Sequence, residues 1–192
     1  LLIIGQKSGL VHALDPNANG KIVWKQRVGS GGTMGGVHWG MSTDNKKVFV
    51  GVSDLPTNNP YIVGDAHPGI HGLDLQTGDF IWRNDLPNVC PKKMTFLCFP
   101  GISAAVSSSP GLVYAGGLDG MFRVFSANDG KILWEYNTKQ PVTSVNGVKG
   151  FGGSIEADGP VIANGKIYIT SGYDKWAEAP GNLLMVFSVD GK

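Results

Sequence analysis

Short runs of apolar residues alternate along the chain with clusters of Gly, Asp, Asn and Thr. The runs at 47–52, 111–115 and 166–170 are rich in β-branched and aromatic residues, which is typical of β-strands. Glycine in the intervening clusters supplies the positive φ angles that tight turns need. We find no convincing helical periodicity, so the pattern predicts an all-β chain of short strands and turns.

One phrase recurs within this pattern: a strand, a tight turn, and a second strand that places Trp four residues after Gly. Complete copies end at Trp24, Trp82 and Trp134, and a fourth copy begins at 186–188. With the strand upstream of each copy, every unit holds about four short strands and recurs after roughly 50–60 residues. Such units predict the four-stranded antiparallel blades of a β-propeller. The three tryptophans are then blade-docking core residues without a chemical role.

We predict a single propeller segment of about four blades. It comprises a partial blade over 1–34, whole blades over 35–88 and 99–140, and a partial blade over 150–192. Because the chain starts inside a strand and stops in mid-repeat, we expect a piece of a longer protein. The remaining blades would come from the same chain or from another chain, since an open propeller exposes its sheet edges.

Charge and composition narrow the range of partners. Charged residues make up 16% of the 192 positions and the net charge is +1, with no basic patch or charge run. This balance predicts no binding to nucleic acid or to an anionic membrane. No apolar stretch approaches the length of a membrane span. The 29 glycines fit a β protein dense in turns.

The chain has two cysteines, Cys90 and Cys98, in the loop between the second and third tryptophan units. Two thiols alone do not make a zinc site. A short irregular loop closes easily into a disulfide, which would indicate an oxidising, extracytoplasmic compartment, either periplasmic or secreted. The alternative is a pair of reduced thiols in a cytosolic protein.

Beyond the repeat, several stretches resemble the pyrroloquinoline quinone (PQQ) dehydrogenase propellers, which have eight blades, and within them the polyvinyl alcohol dehydrogenase branch. The resemblance runs in register over essentially the whole chain. The stretches are 35–41, 50–54, 90–98, 103–106, 110–114, 116–120, 145–148, 152–154, 158–162, 171–173 and 180–184.

This resemblance implies a quinone lying flat on a tryptophan at one end of the propeller axis. Trp39 lines up with that tryptophan, next to His38 and Gly40 and after a glycine-rich run over 29–36. Glycines allow the backbone to approach a flat ligand closely. We therefore expect PQQ to bind at Trp39, His38 and Gly40. Plain packing of Trp39 near the axis is the alternative.

The family also uses a calcium ion with oxygen ligands and an Asp as general base. Asp54 lies near the position of the calcium ligands, although an ordinary turn carboxylate is the other interpretation. His38 replaces an acid or amide of the relatives, and imidazole is a poor calcium ligand. The segment 99–102 offers no carboxylate where the base would stand, so the catalytic residue is unassigned.

Three further positions have a chemical and a plain interpretation. His67 and His71 have a metal-like spacing, but Pro68 and Gly69 between them favour a loop that enters a strand. Asp119 could approach the axis, although Leu-Asp-Gly there is typical of a hairpin turn. Trp176 lies in a polar loop and could contact a substrate or anchor that loop.

Two functions remain in view. The first is a PQQ-dependent dehydrogenase that oxidises the secondary alcohols of a small molecule or polymer and passes electrons to a cytochrome c. The second is a non-catalytic propeller that binds another protein or a ligand through its loops or blade edges. The absent base and His38 favour the second function, whereas Trp39, the paired cysteines and the end-to-end resemblance favour the first.

Overall fold

The structure is a computed structural model that describes residues 1–55, 64–93 and 97–190. Its strands form four main antiparallel sheets in chain order, which we call sheets I to IV. Sheet I contains β1 (Leu2–Gly5), β2 (Leu10–Asp15) and β3 (Lys21–Arg27). Sheet II contains β4 (Met41–Thr43), β5 (Lys47–Val52), β6 (Gly69–Asp74) and β7 (Phe80–Asp85).

Sheet III repeats the order of sheet II, with β8 (Ser107–Ser109), β9 (Leu112–Gly116), β10 (Met121–Ser126) and β11 (Ile132–Asn137). A small hairpin of β12 (Val142–Thr143) and β13 (Lys149–Gly150) follows it. Sheet IV contains β14 (Val161–Ala163), β15 (Lys166–Ser171) and β16 (Leu183–Ser188). One 3₁₀ turn, Pro16–Ala18, joins β2 to β3. Within the described ranges, no helix has the length and hydrophobicity to cross a membrane.

Each sheet is a meander in which consecutive strands pair. The first strand of sheet III, β8, contacts the first strands of its two neighbours, β4 and β14, so these three strands lie on the inner side of the assembly. This arrangement confirms the all-β, propeller-type fold, although the described sheets do not close a ring. The blade boundaries given above remain a prediction.

The three tryptophans predicted to dock the blades lie on the outermost strands and share one local geometry, although Trp134 is 41% exposed whereas Trp24 and Trp82 are buried. Each pairs with a residue of the preceding strand immediately before a register shift. The pairs are Ala13 with Trp24, Gly72 with Trp82 and Val124 with Trp134. Register shifts of this kind mark β-bulges, which bend and twist a strand locally.

Trp24 and Trp82 reach the next sheet along the chain. The indole N–H of Trp24 donates to the Leu75 carbonyl at 3.1 Å, and that of Trp82 donates to the Ala127 carbonyl at 3.2 Å. Buried apolar side chains fill the space between successive sheets, and both tryptophans belong to these clusters. The hydrophobic core is therefore divided into layers between blades.

Candidate functional site

Three loops that precede the inner strands meet at one end of the sheets. His38 and Trp39 stand before β4, Ser103 before β8 and Glu156 before β14. Backbone hydrogen bonds hold these loops together. The Val106 N–H donates to the Gly40 carbonyl at 3.3 Å, and the Ala105 N–H donates to the Ala157 carbonyl at 3.1 Å. Residues far apart in sequence thus share one site.

The side chains at this end form a hydrogen-bonded network. The Trp39 indole N–H and the Ser103 hydroxyl both lie 2.8 Å from Glu156 Oε1. His38 Nδ1 lies 2.5 Å from Ser103 Oγ, and His38 Nε2 lies 2.9 Å from the Gly35 carbonyl oxygen. The network therefore runs from the glycine-rich loop to the start of sheet IV.

Burial shifts the pKa values of the two titratable members in opposite directions. Burial raises the pKa of Glu156, and the charge of Glu178 adds to that effect, against hydrogen bonds from Trp39 and Ser103 that lower it. Burial also lowers the pKa of His38, as does the positive charge of Lys7. Both shifts favour the uncharged form of the side chain.

A cleft of about 440 Å³ opens beside this network. Its lining includes the residues Lys7, Thr33, Met34, His38, Trp39, Glu156, Tyr173, Lys175 and Trp176. Trp39 is 55% exposed and Trp176 is 60% exposed, so two indole rings are available to a ligand. Aromatic faces with nearby ammonium groups suit a planar molecule that carries carboxylates.

PQQ is such a molecule, a planar quinone with three carboxylates, and the lining of the cleft fits it. Trp39 and His38 lie on this cleft, as the resemblance implies for the cofactor site. Gly40 contacts Ala105 instead, since a Cβ at Gly40 would lie 3.3 Å from the Ala105 Cβ. Binding of PQQ by these three residues remains a prediction.

Asp54 is fully buried and holds the glycine-rich loop. Its carboxylate accepts N–H groups from Ser30 at 2.6 Å, Gly31 at 3.1 Å, Gly36 at 2.8 Å and His67 at 3.1 Å. Both oxygens thus face hydrogens rather than other oxygen ligands, a set that does not fit calcium. In the described ranges, no group of three His, Cys, Asp or Glu side chains could hold a metal ion. A calcium role for Asp54 remains an untested prediction.

The predicted disulfide between Cys90 and Cys98 is present. Its loop touches the loop that carries Trp176, because Leu97 forms a parallel bridge with Glu178. The Leu97 N–H donates to the Ala177 carbonyl at 2.7 Å. The disulfide loop therefore supports one wall of the cleft.

The other singled-out residues have structural partners. His71 lies in β6, fully buried, and its Nε2–H donates to the His67 carbonyl at 3.1 Å. The His67 ring contacts Asp85 at 2.8 Å. Asp119 forms a buried pair with Arg123 at 2.6 Å. These contacts agree with the plain interpretations of the three residues.

Sequence reasoning missed Glu156 and Ser103. The resemblance placed a base in segment 99–102, which precedes sheet III. The carboxylate in the structure is that of Glu156, in the loop that precedes sheet IV. A usable signal was the equivalent position of the three loops, since each precedes the first strand of its sheet.

Comparisons with known proteins agree with the fold. A family model named PQQ_2, described as outer membrane protein assembly factor BamB, matches residues 7–149 and 65–188. A polyvinylalcohol dehydrogenase of Pseudomonas sp. is 40% identical over 200 residues, covering 100% of this chain and 30% of that protein. A 1-butanol dehydrogenase (cytochrome c) of Thauera butanivorans is 35% identical over 69 residues, covering 36% of this chain and 10% of that protein.

Among solved structures, BamB from Moraxella catarrhalis aligns with a TM-score of 0.63 and 19% identity. The alignment covers 99% of this chain and 47% of the BamB chain, and it supports the fold alone. The chain spans 30% of the length of the polyvinylalcohol dehydrogenase, so the activity of a whole protein does not follow from this match.

Proposed function

Since the chain belongs to the PQQ_2 family of propellers, we propose that it is part of a PQQ-dependent dehydrogenase of the polyvinyl alcohol dehydrogenase type, which oxidises secondary alcohols. The observation that carries the proposal is the cleft, where an exposed indole and two lysines lie beside a buried carboxylate. A small alcohol or a polymer is the substrate class, and a cytochrome c is the electron acceptor that the butanol dehydrogenase relative suggests.

In this proposal each residue has a defined task. Trp39 offers its ring face to the cofactor, and Lys7 and Lys175 pair with carboxylates of the cofactor. Bound PQQ would supply the two-electron oxidant that side chains lack. Trp176 and Tyr173 cover the other side of the cleft and limit the access of water.

We also propose an extracytoplasmic location. The Cys90–Cys98 disulfide supports it, because disulfides persist in oxidising compartments and are rare in the cytosol. Reducing and alkylating reagents applied to the full-length native protein test this point. Labelling of both thiols without prior reduction would contradict it.

The proposed function is tested by titrating the full-length protein with PQQ, followed through its absorption and through tryptophan fluorescence. We expect saturable binding, weakened at least tenfold in Trp39→Ala and much less in Trp39→Phe, which keeps an aromatic ring. Equal affinity in all three proteins would remove Trp39 from the site. No saturable binding in the wild type would sink the proposal.

That last outcome would favour the second candidate, a protein-binding propeller. The observation behind this alternative is the description of the matching family model as outer membrane protein assembly factor BamB. A scaffold of this kind needs no cofactor, and its loops would contact another protein.

A further inference from the structure

In its fully deprotonated form, the His38–Ser103–Glu156 network has one hydrogen too few to make all of its hydrogen bonds. A carbonyl oxygen only accepts, so His38 Nε2 carries the hydrogen that points at Gly35. In a neutral imidazole His38 Nδ1 then only accepts. The Ser103 hydroxyl lies between this nitrogen and Glu156 Oε1, and it has a single hydrogen to give.

Both contacts of Ser103 are made only when one extra proton is present. That proton stands either on Glu156, which then donates to Ser103, or on His38 Nδ1, with Ser103 donating to an ionised Glu156. The two arrangements have the same net charge and interconvert by a shift of hydrogens along the Ser103 oxygen. Removal of the proton leaves one contact unmade and a net negative charge on the network.

A second, independent observation points to a ligand here. Glu156 is only 7% exposed, and within the described part of the chain its Oε2 has no hydrogen-bond partner. A buried carboxylate oxygen without a partner is costly and is rarely kept without a role. Glu156 and His38 both line the cleft that also holds Trp39.

We propose that Glu156, coupled through Ser103 to His38, is the proton acceptor for alcohol oxidation in this cleft. The inference rests on the proposed function and supplies the general base that segment 99–102 lacks. The deprotonated network is the active form, because it has room for one proton and gains a hydrogen bond when it takes one.

The step balances as follows. The O–H bond of the alcohol breaks and its proton passes to the Glu156 carboxylate, while the carbinol C–H bond breaks and its hydrogen leaves with both electrons to the quinone-class oxidant. A C=O bond forms, so the secondary alcohol is oxidised to a ketone and the oxidant is reduced by two electrons. The network loses its negative charge when it takes the hydroxyl proton, and the negative charge left on the substrate leaves with the hydride, so the ketone is neutral.

The burial of Glu156 and the charged groups around the network set how readily Glu156 accepts a proton. Glu156 is influenced by Lys7 and Glu178, and His38 by Lys7 and Asp54. Burial raises the pKa of Glu156, which brings a carboxylate closer to the range where a general base works best near neutral pH. Thr33, Tyr173 and Lys175 are the other polar residues of the cleft lining.

The test compares full-length wild type with Glu156→Gln, Glu156→Asp and Glu135→Gln. Gln keeps an oxygen acceptor for Trp39 and Ser103, so the fold is preserved while the proton site is lost. Glu135→Gln is the control with the same chemical change, since it removes a carboxylate of β11 that neither lines the cleft nor lies among the groups that influence Glu156 or His38. PQQ affinity is measured first and is expected to stay within about threefold in all variants.

With 2-propanol as substrate, kcat of Glu156→Gln should fall by about 100-fold to 10,000-fold, with KM nearly unchanged. Glu156→Asp should recover part of that loss, and Glu135→Gln should stay within about threefold of wild type. The wild-type rate should rise with pH through the pKa of the network, and this limb should disappear in Glu156→Gln. A Glu156→Gln enzyme that binds PQQ and retains wild-type kcat overturns the inference.

A second measurement needs no cofactor. The infrared difference spectrum between low and high pH should contain a component of the protonated carboxyl band that is absent from Glu156→Gln and present in Glu135→Gln. An unchanged band in Glu156→Gln also overturns the inference. If PQQ fails to bind the wild type, the proposed function fails, and the infrared result still decides whether Glu156 holds the proton.

Discussion

Trp82 and Trp39 make the same kind of hydrogen bond in opposite surroundings. Trp82 is 8% exposed and donates its indole N–H to a backbone carbonyl of the next sheet, whereas Trp39 is 55% exposed and donates to the Glu156 carboxylate. A carbonyl keeps its charge state at every pH, but a carboxylate does not. The difference teaches that burial and acceptor type, rather than the tryptophan itself, separate a docking residue from a site residue.

The largest expected effect is the loss of a docking ring. Trp82→Ala should lower the free energy of unfolding by about 3–5 kcal/mol, because a large buried ring is removed and a cavity is left. Urea denaturation of the full-length protein measures it. Trp82→Phe should cost distinctly less because it keeps a ring. A loss under about 1 kcal/mol for Trp82→Ala would mean that the ring does not hold the sheets together.

The turn beneath the ring should be nearly as sensitive. Gly130 has φ +70°, and an added Cβ would lie 2.4 Å from Trp82 Cε3. Gly111 is the matched control, with φ +80° and open space around the added Cβ. Gly130→Ala should therefore cost about 2–3 kcal/mol and Gly111→Ala about 1 kcal/mol in thermal or urea unfolding. Equal costs would show that backbone strain alone is being measured.

Trp39→Ala should change stability least among the tryptophan variants. More than half of its side chain is already exposed, and water can replace the indole N–H at Glu156. We expect a loss of about 1 kcal/mol in urea unfolding. A loss as large as that of Trp82→Ala would support the interpretation of Trp39 as a packing residue.

The smallest effect is spectroscopic. Glu156 has a pKa raised by burial, so on acidification it takes up its proton at higher pH than an exposed carboxyl group. Its ionisation in the folded state is unfavourable, so stability from this group is present at low pH and is lost as pH rises through its folded pKa. Trp39 emission should shift over the same window.

Two controls sharpen this reading. In Glu156→Gln the pH-dependent shift of Trp39 emission should vanish, since the acceptor no longer titrates. Trp39→Phe should remove the same component from the wild-type spectrum. An emission shift that persists in both variants would come from another tryptophan. Trp39 would then not differ from Trp82 in its response to pH.

The sheets and the buried positions of Trp24 and Trp82 were predictable because the pattern that specifies each is local in sequence, whereas Trp134 is 41% exposed. Strand, turn and Gly-to-Trp spacing repeat in short windows, so the pattern reveals them without knowledge of distant contacts. The disulfide was open at that level and became definite only when the structure joined Cys90 to Cys98.

The network was not predictable in the same way. Glu156, the hydrogen-bond partner of Trp39, is 117 residues away in the sequence. It lies in a loop that contains no sequence motif for a functional carboxylate. Only the stacking of successive sheets brings Glu156 to Trp39 and Ser103. The burial of Asp54 was equally hidden, because its four N–H partners come from two loops, one of them the glycine-rich loop.

The bond between Trp39 and Glu156 leads from the loop before sheet II to the loop before sheet IV and passes over sheet III. It links two sheets that are not neighbours along the chain, with sheet III between them. Any change in the twist or thickness of sheet III would therefore alter the distance between the Trp39 indole and the Glu156 carboxylate. The hydrogen bonding in the cleft thus depends on the arrangement of sheets II, III and IV. Substitutions in the core of sheet III would change that hydrogen bonding without altering a residue of the cleft.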